Sequence, residues 1–266
     1  MNRIEQIFAD LRDQGRKGLM PFLTAGDPNL ATTAELLRAA DRAGATICEV
    51  GFPFSDPIAD GPVIEASMHR AIEQGVRPAD IFRAVADVRS DVDLGLVAMV
   101  SYSIVYRIGP DKFVEDAAAA GFDGFIFPDL PLEEAEKMVG RVRAADMTCS
   151  LLVAPGTSRE RAQAIAKASS GFVYLLARAG ITGESDAVAT AIDDRVAMLR
   201  EVTELPIAVG FGISAPEHVE QVVESADAAI VGSALVRRVH EHADEGEEAC
   251  VAAFESYVKQ LAGGLG

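Results

Sequence analysis

Residues 206–232, PIAVGFGISAPEHVEQVVESADAAIVG, contain the repeating unit that decides the fold of this chain. Pro206–Val209 and Ala229–Val231 are short apolar runs of the kind that form buried strands. Pro216–Glu224, between them, has the spacing of an amphipathic helix. Ser214 is predicted to be the N-cap of that helix, with a proline in the first turn. A strand, a helix and a second strand in this order predict a parallel βαβ unit.

The same unit recurs along the whole chain. Apolar runs rich in Val, Ile, Leu and Phe predict eight strands, at Leu19–Thr24, Thr46–Val50, Leu94–Val100, Gly124–Phe127, Thr148–Val153, Phe172–Leu176, Pro206–Val209 and Ala229–Val231. Helices are predicted at Arg3–Asp13, Leu30–Ala43, Asp111–Ala120, Leu132–Ala145, Arg159–Ala168, Ala187–Val202, Pro216–Glu224 and Glu247–Leu261. This alternation predicts an α/β fold, a (β/α)8 TIM barrel, with an extra N-terminal helix over the barrel bottom.

An open, doubly wound sheet is the main alternative to the barrel. The chain length of 266 residues favours the barrel, because a TIM barrel typically has roughly 250 residues. No linker rich in Pro, Gly or Ser divides the sequence. We therefore expect residues 1–266 to form a single TIM-barrel domain.

The composition excludes several classes of protein. Lys and Arg number 24 against 41 Asp and Glu, a formal net charge of −17, whereas proteins that bind nucleic acid or anionic membranes need a basic surface. The basic pairs are Arg16-Lys17 and Arg237-Arg238. Backbone N–H groups must therefore hold any anionic ligand. The three cysteines are far apart, which predicts neither a disulfide framework nor a metal site and indicates a reducing compartment, the cytoplasm.

Glu49 is the most informative single residue. It ends the apolar run Thr46–Val50, and strand alternation puts Ile47 and Glu49 on one face and Cys48 and Val50 on the other. Active sites of barrels lie at the carboxyl ends of their strands. A carboxylate that points inward there is partly removed from water, which raises its pKa toward the range useful for acid–base catalysis. A solvated glutamate paired with an arginine is the alternative.

A second carboxylate follows in the loop Gly51–Pro62. This loop contains Asp56 and Asp60 among three prolines, which restrict its backbone. An Asp-Gly pair is by itself a common turn. Together with Glu49 in the same crossover, Asp60 indicates a site with two carboxylates.

Glycines after the late strands predict a phosphate site. Gly210-Phe211-Gly212 follows the seventh predicted strand, and Gly232-Ser233 follows the eighth and opens a helix. Glycines let backbone N–H groups approach an anion, and a helix N-terminus adds a favourable dipole. Gly183, in the long loop after the sixth strand, is a further candidate. Ordinary turn glycines are the alternative.

The positions of the lysines and histidines further restrict the reactions that this chain can catalyse. The five lysines precede the first strand or lie on outer helices, so none is placed to form a Schiff base inside the barrel. The four histidines are scattered, which argues against a catalytic zinc site. We therefore expect metal-free acid–base chemistry on a phosphorylated small molecule.

Residues 49–62, EVGFPFSDPIADGP, closely resemble the signature of the tryptophan synthase alpha chain family. Other segments resemble family motifs in family order, at Pro21–Pro28, Phe127–Pro131, Gly171–Tyr174, Gly180–Gly183 and Val209–Ser214. The resemblance implies a lyase that reversibly cleaves indole-3-glycerol phosphate into indole and glyceraldehyde 3-phosphate in tryptophan biosynthesis. It also implies a β-chain partner, in an α2β2 heterotetramer, that carries pyridoxal phosphate and receives the indole. No cofactor is expected on this chain.

The resemblance also assigns site residues. Glu49 matches the family's acid–base residue and Asp60 its acceptor for the indole N–H. The phosphate site matches Gly183, Phe211, Gly212, Gly232 and Ser233. The pocket for indole and glycerol matches Phe22, Val100, Leu152 and Tyr174, and Thr182 matches the threonine of a mobile lid.

The sequence departs from the family at a few positions. Ile104 replaces an asparagine of the region that contacts the β chain, and Gly156 and Ser225 also differ from the usual residues. These changes affect the expected coupling to the partner more than the lyase chemistry. A different phosphate-binding barrel enzyme and a non-catalytic subunit that only activates its partner remain as alternatives.

Overall fold

The computed structural model describes residues 2–57, 61–177, 185–210 and 212–266, with the backbone alone for residues 185–191. Its strands are β1 (Gly18–Thr24), β2 (Ile47–Gly51), β3 (Gly95–Met99), β4 (Gly124–Ile126), β5 (Thr148–Ser150), β6 (Leu152–Val153), β7 (Val173–Leu176), β8 (Ile207–Gly210) and β9 (Ala228–Val231). Every pairing is parallel, and the order is β5-β4-β3-β2-β1-β9-β8-β7-β6.

The predicted TIM barrel is confirmed, with its fifth strand divided in two. β5 pairs with β4 and β6 pairs with β7, so the two edges of the sheet are separated by Leu151 alone. The two edge strands are consecutive in the chain, which brings the ends of the sheet together into a nearly closed barrel.

Serine side chains replace the regular ladder at this division. Ser170 Oγ accepts a hydrogen bond of 2.8 Å from the Cys149 backbone N–H, and Ser169 Oγ accepts one of 3.3 Å from Leu151 N–H. Gly171 turns the chain with φ of 78° before β7 begins. Side chains therefore satisfy backbone donors that strand pairing would otherwise occupy.

The described residues form twelve α-helices around the sheet. They are α1 (Arg3–Asp13), α2 (Leu30–Arg42), α3 (Pro62–Glu73), α4 (Pro78–Val88), α5 (Tyr102–Ile108), α6 (Pro110–Ala120), α7 (Leu132–Ala144), α8 (Arg159–Ala168), α9 (Ser185–Arg200), α10 (Pro216–Ser225), α11 (Ser233–Glu241) and α12 (Glu247–Ala262). None of the helices found in these ranges is long and apolar enough to cross a membrane.

The helices α3, α4 and α5 were not predicted. The first two fill the long crossover between β2 and β3, and each begins with a proline as its first helical residue. The predicted N-cap of α10 is wrong by one residue. Ala215 is the cap and makes no side-chain bond, while Ser214 donates its backbone N–H to His218 Nδ1 at 3.3 Å.

Strand alternation sorts the core into two layers. The inner layer, inside the barrel, includes Ile47, Val97 and Ile126, whereas the outer layer, between strands and helices, includes Cys48 and Val50. The predicted faces of β2 are therefore correct, and Glu49 shares the inward face of Ile47. The side chains of α1 belong to the inner layer, so this helix covers the barrel bottom as predicted.

Candidate active site

A cavity of about 400 Å³ opens at the carboxyl end of the barrel strands. Its walls come from β1, β2, β3, β6, β7 and β9, from the glycine-rich segment after β8, and from the first turns of α3 and α11. This is the end at which barrel enzymes place their active sites. The volume suits a small organic molecule.

Glu49 forms part of the wall inside the barrel. It lies on β2 between Phe22 of β1 and Val97 of β3 in register, and its exposed fraction is 1%. Its side chain lines the cavity. The strand therefore holds a carboxylate against the reaction space while the surrounding core keeps bulk water away.

Cys48, the neighbour of Glu49, points to the opposite face of β2. Burial and the charge of Glu49 raise the pKa of this thiol far above its ordinary value. The side chain therefore remains a neutral thiol packed in the outer layer. The two adjacent residues thus face different surroundings: Cys48 faces the outer layer of the core and Glu49 faces the cavity.

Three of the four predicted pocket residues line the cavity, namely Phe22, Leu152 and Tyr174. Glycines make room for the two aromatic rings, those of Phe22 and Tyr174. A Cβ at Gly51 would lie 2.4 Å from Phe22 Cζ, and one at Gly210 would lie 2.4 Å from the Tyr174 hydroxyl. Val100 is placed differently, because it packs in the outer layer and lines a separate, smaller cavity beside the first.

The predicted phosphate residues Gly212, Gly232 and Ser233 all line the cavity. Gly212 has φ of 80°, a conformation that suits glycine. Gly232 is the N-cap of α11 and Ser233 is its first residue. Since the first N–H groups of a helix have no partner within it, α11 directs free donors at the cavity.

A second helix N-terminus faces the same space. Gly61, the N-cap of α3, lines the cavity together with Val63 and Ile64 of its first turn. The two helix ends are close, since a Cβ at Gly232 would lie 3.3 Å from Ile64 Cδ1. The positive ends of two helix dipoles therefore favour negative charge in this part of the cavity.

Two polar contacts tie α3 to the end of β1. Thr24 Oγ lies 2.6 Å from Ser67 Oγ, and Arg70 donates to both carboxylate oxygens of Asp27 at 2.9 and 2.7 Å. Ser67, Thr24 and Asp27 are buried. These contacts fix the position of α3 and hence of the cavity wall formed by its first turn.

Asp60, Thr182, Gly183 and Phe211 lie outside the described residues. Asp60 directly precedes Gly61 in the chain, and Phe211 precedes Gly212. Within the described residues no group of His, Cys, Asp and Glu side chains is arranged to hold a metal ion.

Comparison with known proteins agrees with this architecture. Residues 8–265 match the family model for the tryptophan synthase alpha chain. The tryptophan synthase alpha chain of Rhodopirellula baltica is 49% identical over 242 residues, covering 90% of this chain and 87% of that protein. The one from Synechocystis is 47% identical over 242 residues, covering 91% and 92%. This chain belongs to the tryptophan synthase alpha chain family.

Solved structures show the same relationship. The tryptophan synthase alpha subunit of Legionella pneumophila superposes with a TM-score of 0.90 at 31% identity, covering 100% of this chain and 98% of that one. A chain from the crystal structure of M. tuberculosis tryptophan synthase in its aminoacrylate-bound form gives 0.87 at 32% identity, covering 100% of both chains. The barrel is thus the fold of this family.

Membership of the tryptophan synthase alpha chain family establishes the activity. The chain is a carbon–carbon lyase that cleaves indole-3-glycerol phosphate in tryptophan biosynthesis. The resemblance drawn from residues 49–62 is therefore confirmed. A different barrel activity and a purely activating subunit are no longer needed as explanations.

Two features of the cavity were missed in the sequence. One is the N-terminus of α3, because Gly61-Pro62 suggests a turn as readily as a helix start. The other is Arg237, which lines the cavity although basic side chains were expected to contribute little. The doublet Arg237-Arg238 was visible, but its two members cannot be told apart without the structure.

Proposed function

We propose that Glu49 and Asp60 carry out the cleavage in this cavity. Glu49 is the acid–base residue, and Asp60 accepts the hydrogen bond of the indole N–H. The observation that carries the assignment is a buried carboxylate in the wall of a cavity that two helix N-termini also line. A phosphorylated substrate fits such a space, with its phosphate at the helix ends and its reacting carbon at Glu49.

A single residue, Glu49, can carry out both proton transfers of the reaction. Protonated Glu49 gives its proton to C3 of the indole ring, and the resulting carboxylate then takes the proton of the glycerol hydroxyl next to that carbon. The bond between C3 and the glycerol carbon breaks, its electron pair returns to the indole ring, and the hydroxyl carbon becomes the aldehyde of glyceraldehyde 3-phosphate. Glu49 ends the cycle protonated, as it began.

Asp60 stabilises the charge that develops during this sequence. Protonation of C3 leaves positive charge near the indole nitrogen, and an ionised carboxylate beside it lowers the energy of that state. Asp60 directly precedes the N-cap of α3. The dipole of a helix favours a negative side chain at this end, which supports an ionised Asp60.

The remaining predicted residues bind and enclose the substrate. Phe22, Leu152 and Tyr174 provide apolar surface for the indole ring, and Val100 supports them from the layer behind. Gly183, Phe211, Gly212, Gly232 and Ser233 are the proposed phosphate residues. Thr182 is proposed to belong to a lid that closes toward Asp60.

The proposed partner is a tryptophan synthase β chain in an α2β2 heterotetramer, with pyridoxal phosphate on that partner and no cofactor on this chain. The partner-facing surface comprises Pro53–Asp60 and Ser101–Arg107, which leave the carboxyl end of the barrel. In α5 the exposed fractions of Tyr106 and Ile108 are 72% and 37%, so two large side chains of this short helix are open to contact.

Asp129 fixes the start of α5. Its carboxylate accepts hydrogen bonds from Ser101 Oγ at 2.6 Å and from the Tyr102 backbone N–H at 2.7 Å.

We also propose that residues 1–266 form one domain, which the continuous sheet supports. We further propose that the protein is cytoplasmic, which its three buried free cysteines support.

The direct test is release of indole from indole-3-glycerol phosphate by the full chain, with and without a β chain. We expect cleavage by wild type in both conditions and its loss in Glu49→Gln and Asp60→Asn. Wild-type rates in either variant would refute the assignment of that residue. A matched control is Glu65→Gln, which makes the same substitution in the exposed first turn of α3.

A further inference from the structure

Arg237 is the second charged residue of the cavity. Among the described residues that line it, Glu49 and Arg237 alone carry a formal charge. Glu49 lies on β2, and Arg237 follows β9, two strands away across β1. Glu49 and Arg237 therefore contribute to separate parts of the cavity wall, one from a strand and the other from a helix.

The helix places Arg237 over the proposed phosphate site. Ser233 is the first residue of α11, and Arg237 comes one turn later on the same side of the helix. Helical side chains lean toward the N-terminus of their helix. This tendency brings the Arg237 side chain toward the turn that begins at Ser233, and both residues line the cavity.

The adjacent Arg238 provides an internal contrast. Its guanidinium lies 3.6 Å from the Glu241 carboxylate and 5.0 Å from the centre of the Tyr257 ring. For Arg237 no ion pair is found with any carboxylate in the described ranges. The two neighbouring arginines thus differ, because Arg238 is paired on the outer surface whereas the exposed Arg237 contributes to the lining of the cavity.

We propose that Arg237 binds the phosphate group of the substrate and selects phosphate monoesters over uncharged analogues. This inference rests on the phosphate site proposed above. The net charge of −17 repels a dianionic substrate at long range. A cation at the mouth of the cavity counteracts that repulsion close to the proposed phosphate site. Backbone N–H groups hold the phosphate oxygens, and the guanidinium adds charge and further donors.

The test compares Arg237→Gln, Arg237→Lys and Arg238→Gln in the full chain. Cleavage of indole-3-glycerol phosphate is measured at low and high ionic strength, and inorganic phosphate is titrated as a competitive inhibitor. We expect Arg237→Gln to raise both KM and the inhibition constant of phosphate by about fivefold, with little change in kcat. The salt dependence of kcat/KM should weaken, because a charge contact with the substrate is lost.

The two further variants separate the charge from other effects. Arg237→Lys should retain most of the salt dependence because it keeps the charge, and Arg238→Gln should leave KM and phosphate inhibition at wild-type values. Equal KM values for Arg237→Gln and Arg238→Gln would overturn the proposal. An Arg237→Gln protein with normal phosphate inhibition would do the same.

The same experiment distinguishes an error in the location of the phosphate from an error in the function assigned to Arg237. If Gly212→Val leaves phosphate inhibition unchanged, the proposed location of the phosphate is wrong. If Gly212→Val abolishes inhibition while Arg237→Gln has no effect, the location stands and the function assigned to Arg237 is wrong. Both results are read from the same titration.

Discussion

The two ends of the barrel are built differently, although the same strands connect them. At the amino end, Asn2 donates to the carbonyl oxygens of Asp123 and Asp146 at 3.0 and 2.5 Å and caps α1 through the Ile4 N–H. At the carboxyl end, the strands open into a cavity of about 400 Å³ faced by two helix N-termini. The amino end joins segments of the chain, and the carboxyl end leaves donors for a ligand.

Asp123 shows how the amino end is held together. Its carboxylate accepts a hydrogen bond of 2.9 Å from the Leu96 N–H and lies within 3.7 and 3.8 Å of Arg3 and Arg89. Burial nevertheless raises the pKa of this carboxyl, because desolvation outweighs the two arginines. Polar groups at this end thus stabilise the fold, while Glu49 at the other end lines the cavity and is the proposed acid–base residue. Substitutions at the two ends should therefore separate stability from catalysis.

The largest separation is expected from Glu49→Gln. This change keeps the size and hydrogen-bonding capacity of the side chain but removes proton transfer. We expect kcat to fall by about 10³–10⁴-fold, because one residue is assigned both proton transfers. KM should change little, and the melting temperature should not fall, since a neutral amide replaces a buried carboxyl group.

Indole release and thermal unfolding check this prediction together, with Glu65→Gln as the control for the same substitution at an exposed position. Binding to a β chain, measured by titration, should survive. Turnover near the wild-type rate, or loss of β-chain binding, would show that Glu49 is not the proton carrier of the inner wall.

Asn2→Ala should give the opposite result at the amino end. It removes the cap of α1 and the donors to Asp123 and Asp146, so we expect a loss of about 2 kcal/mol in the free energy of unfolding. The value of kcat should stay at the wild-type level. Urea unfolding provides the measurement.

Asn29→Ala is the matched control for this variant. Asn29 caps α2 through the Thr32 N–H at 2.9 Å, and within the described residues its side chain bonds to no other barrel unit. Its loss should cost about 1 kcal/mol, the value of a cap alone. Equal costs for the two variants would contradict a special function for Asn2 in joining the amino end.

Gly212→Val tests the glycine side of the cavity. A Cβ hinders the approach of backbone to phosphate, and φ of 80° is unfavourable for valine. We expect KM to rise roughly tenfold, with kcat within about threefold of wild type. Gly156→Val is the control, because a Cβ there has open space. Similar KM values in the two variants would remove Gly212 from the phosphate site.

Ile104→Asn should have the smallest effect. This residue packs partly against the outer layer on α5, in the surface assigned to the partner. We expect cleavage by the isolated chain to stay within about threefold, while activation by a β chain changes by about 1 kcal/mol. A larger change in the isolated chain than in the complex would refute the prediction.

The sequence predicted correctly the features that depend on residues close together in the chain. Period-two alternation placed Glu49 on the inward face of β2, and Gly232-Ser233 marked the start of α11. The helices α3 and α4 were missed although each begins with a proline at its first position and α4 has buried apolar residues at helical spacing, whereas α5 is only seven residues long. The assignment of Val100 to the main pocket did not match the structure, since it follows β3 with its side chain in the outer layer.

The sequence by itself determined the alternation of strands and helices, the inward direction of Glu49 and the family. These depend on the spacing of neighbouring residues, which the backbone geometry of a strand or helix converts directly into faces. Only the tertiary structure decided where the barrel closes, that α3 and α11 point at one cavity, and that Arg237 faces it while Arg238 does not. These features depend on contacts between residues far apart in the chain, such as Asp27 with Arg70 and Cys149 with Ser170, and no local pattern specifies such contacts.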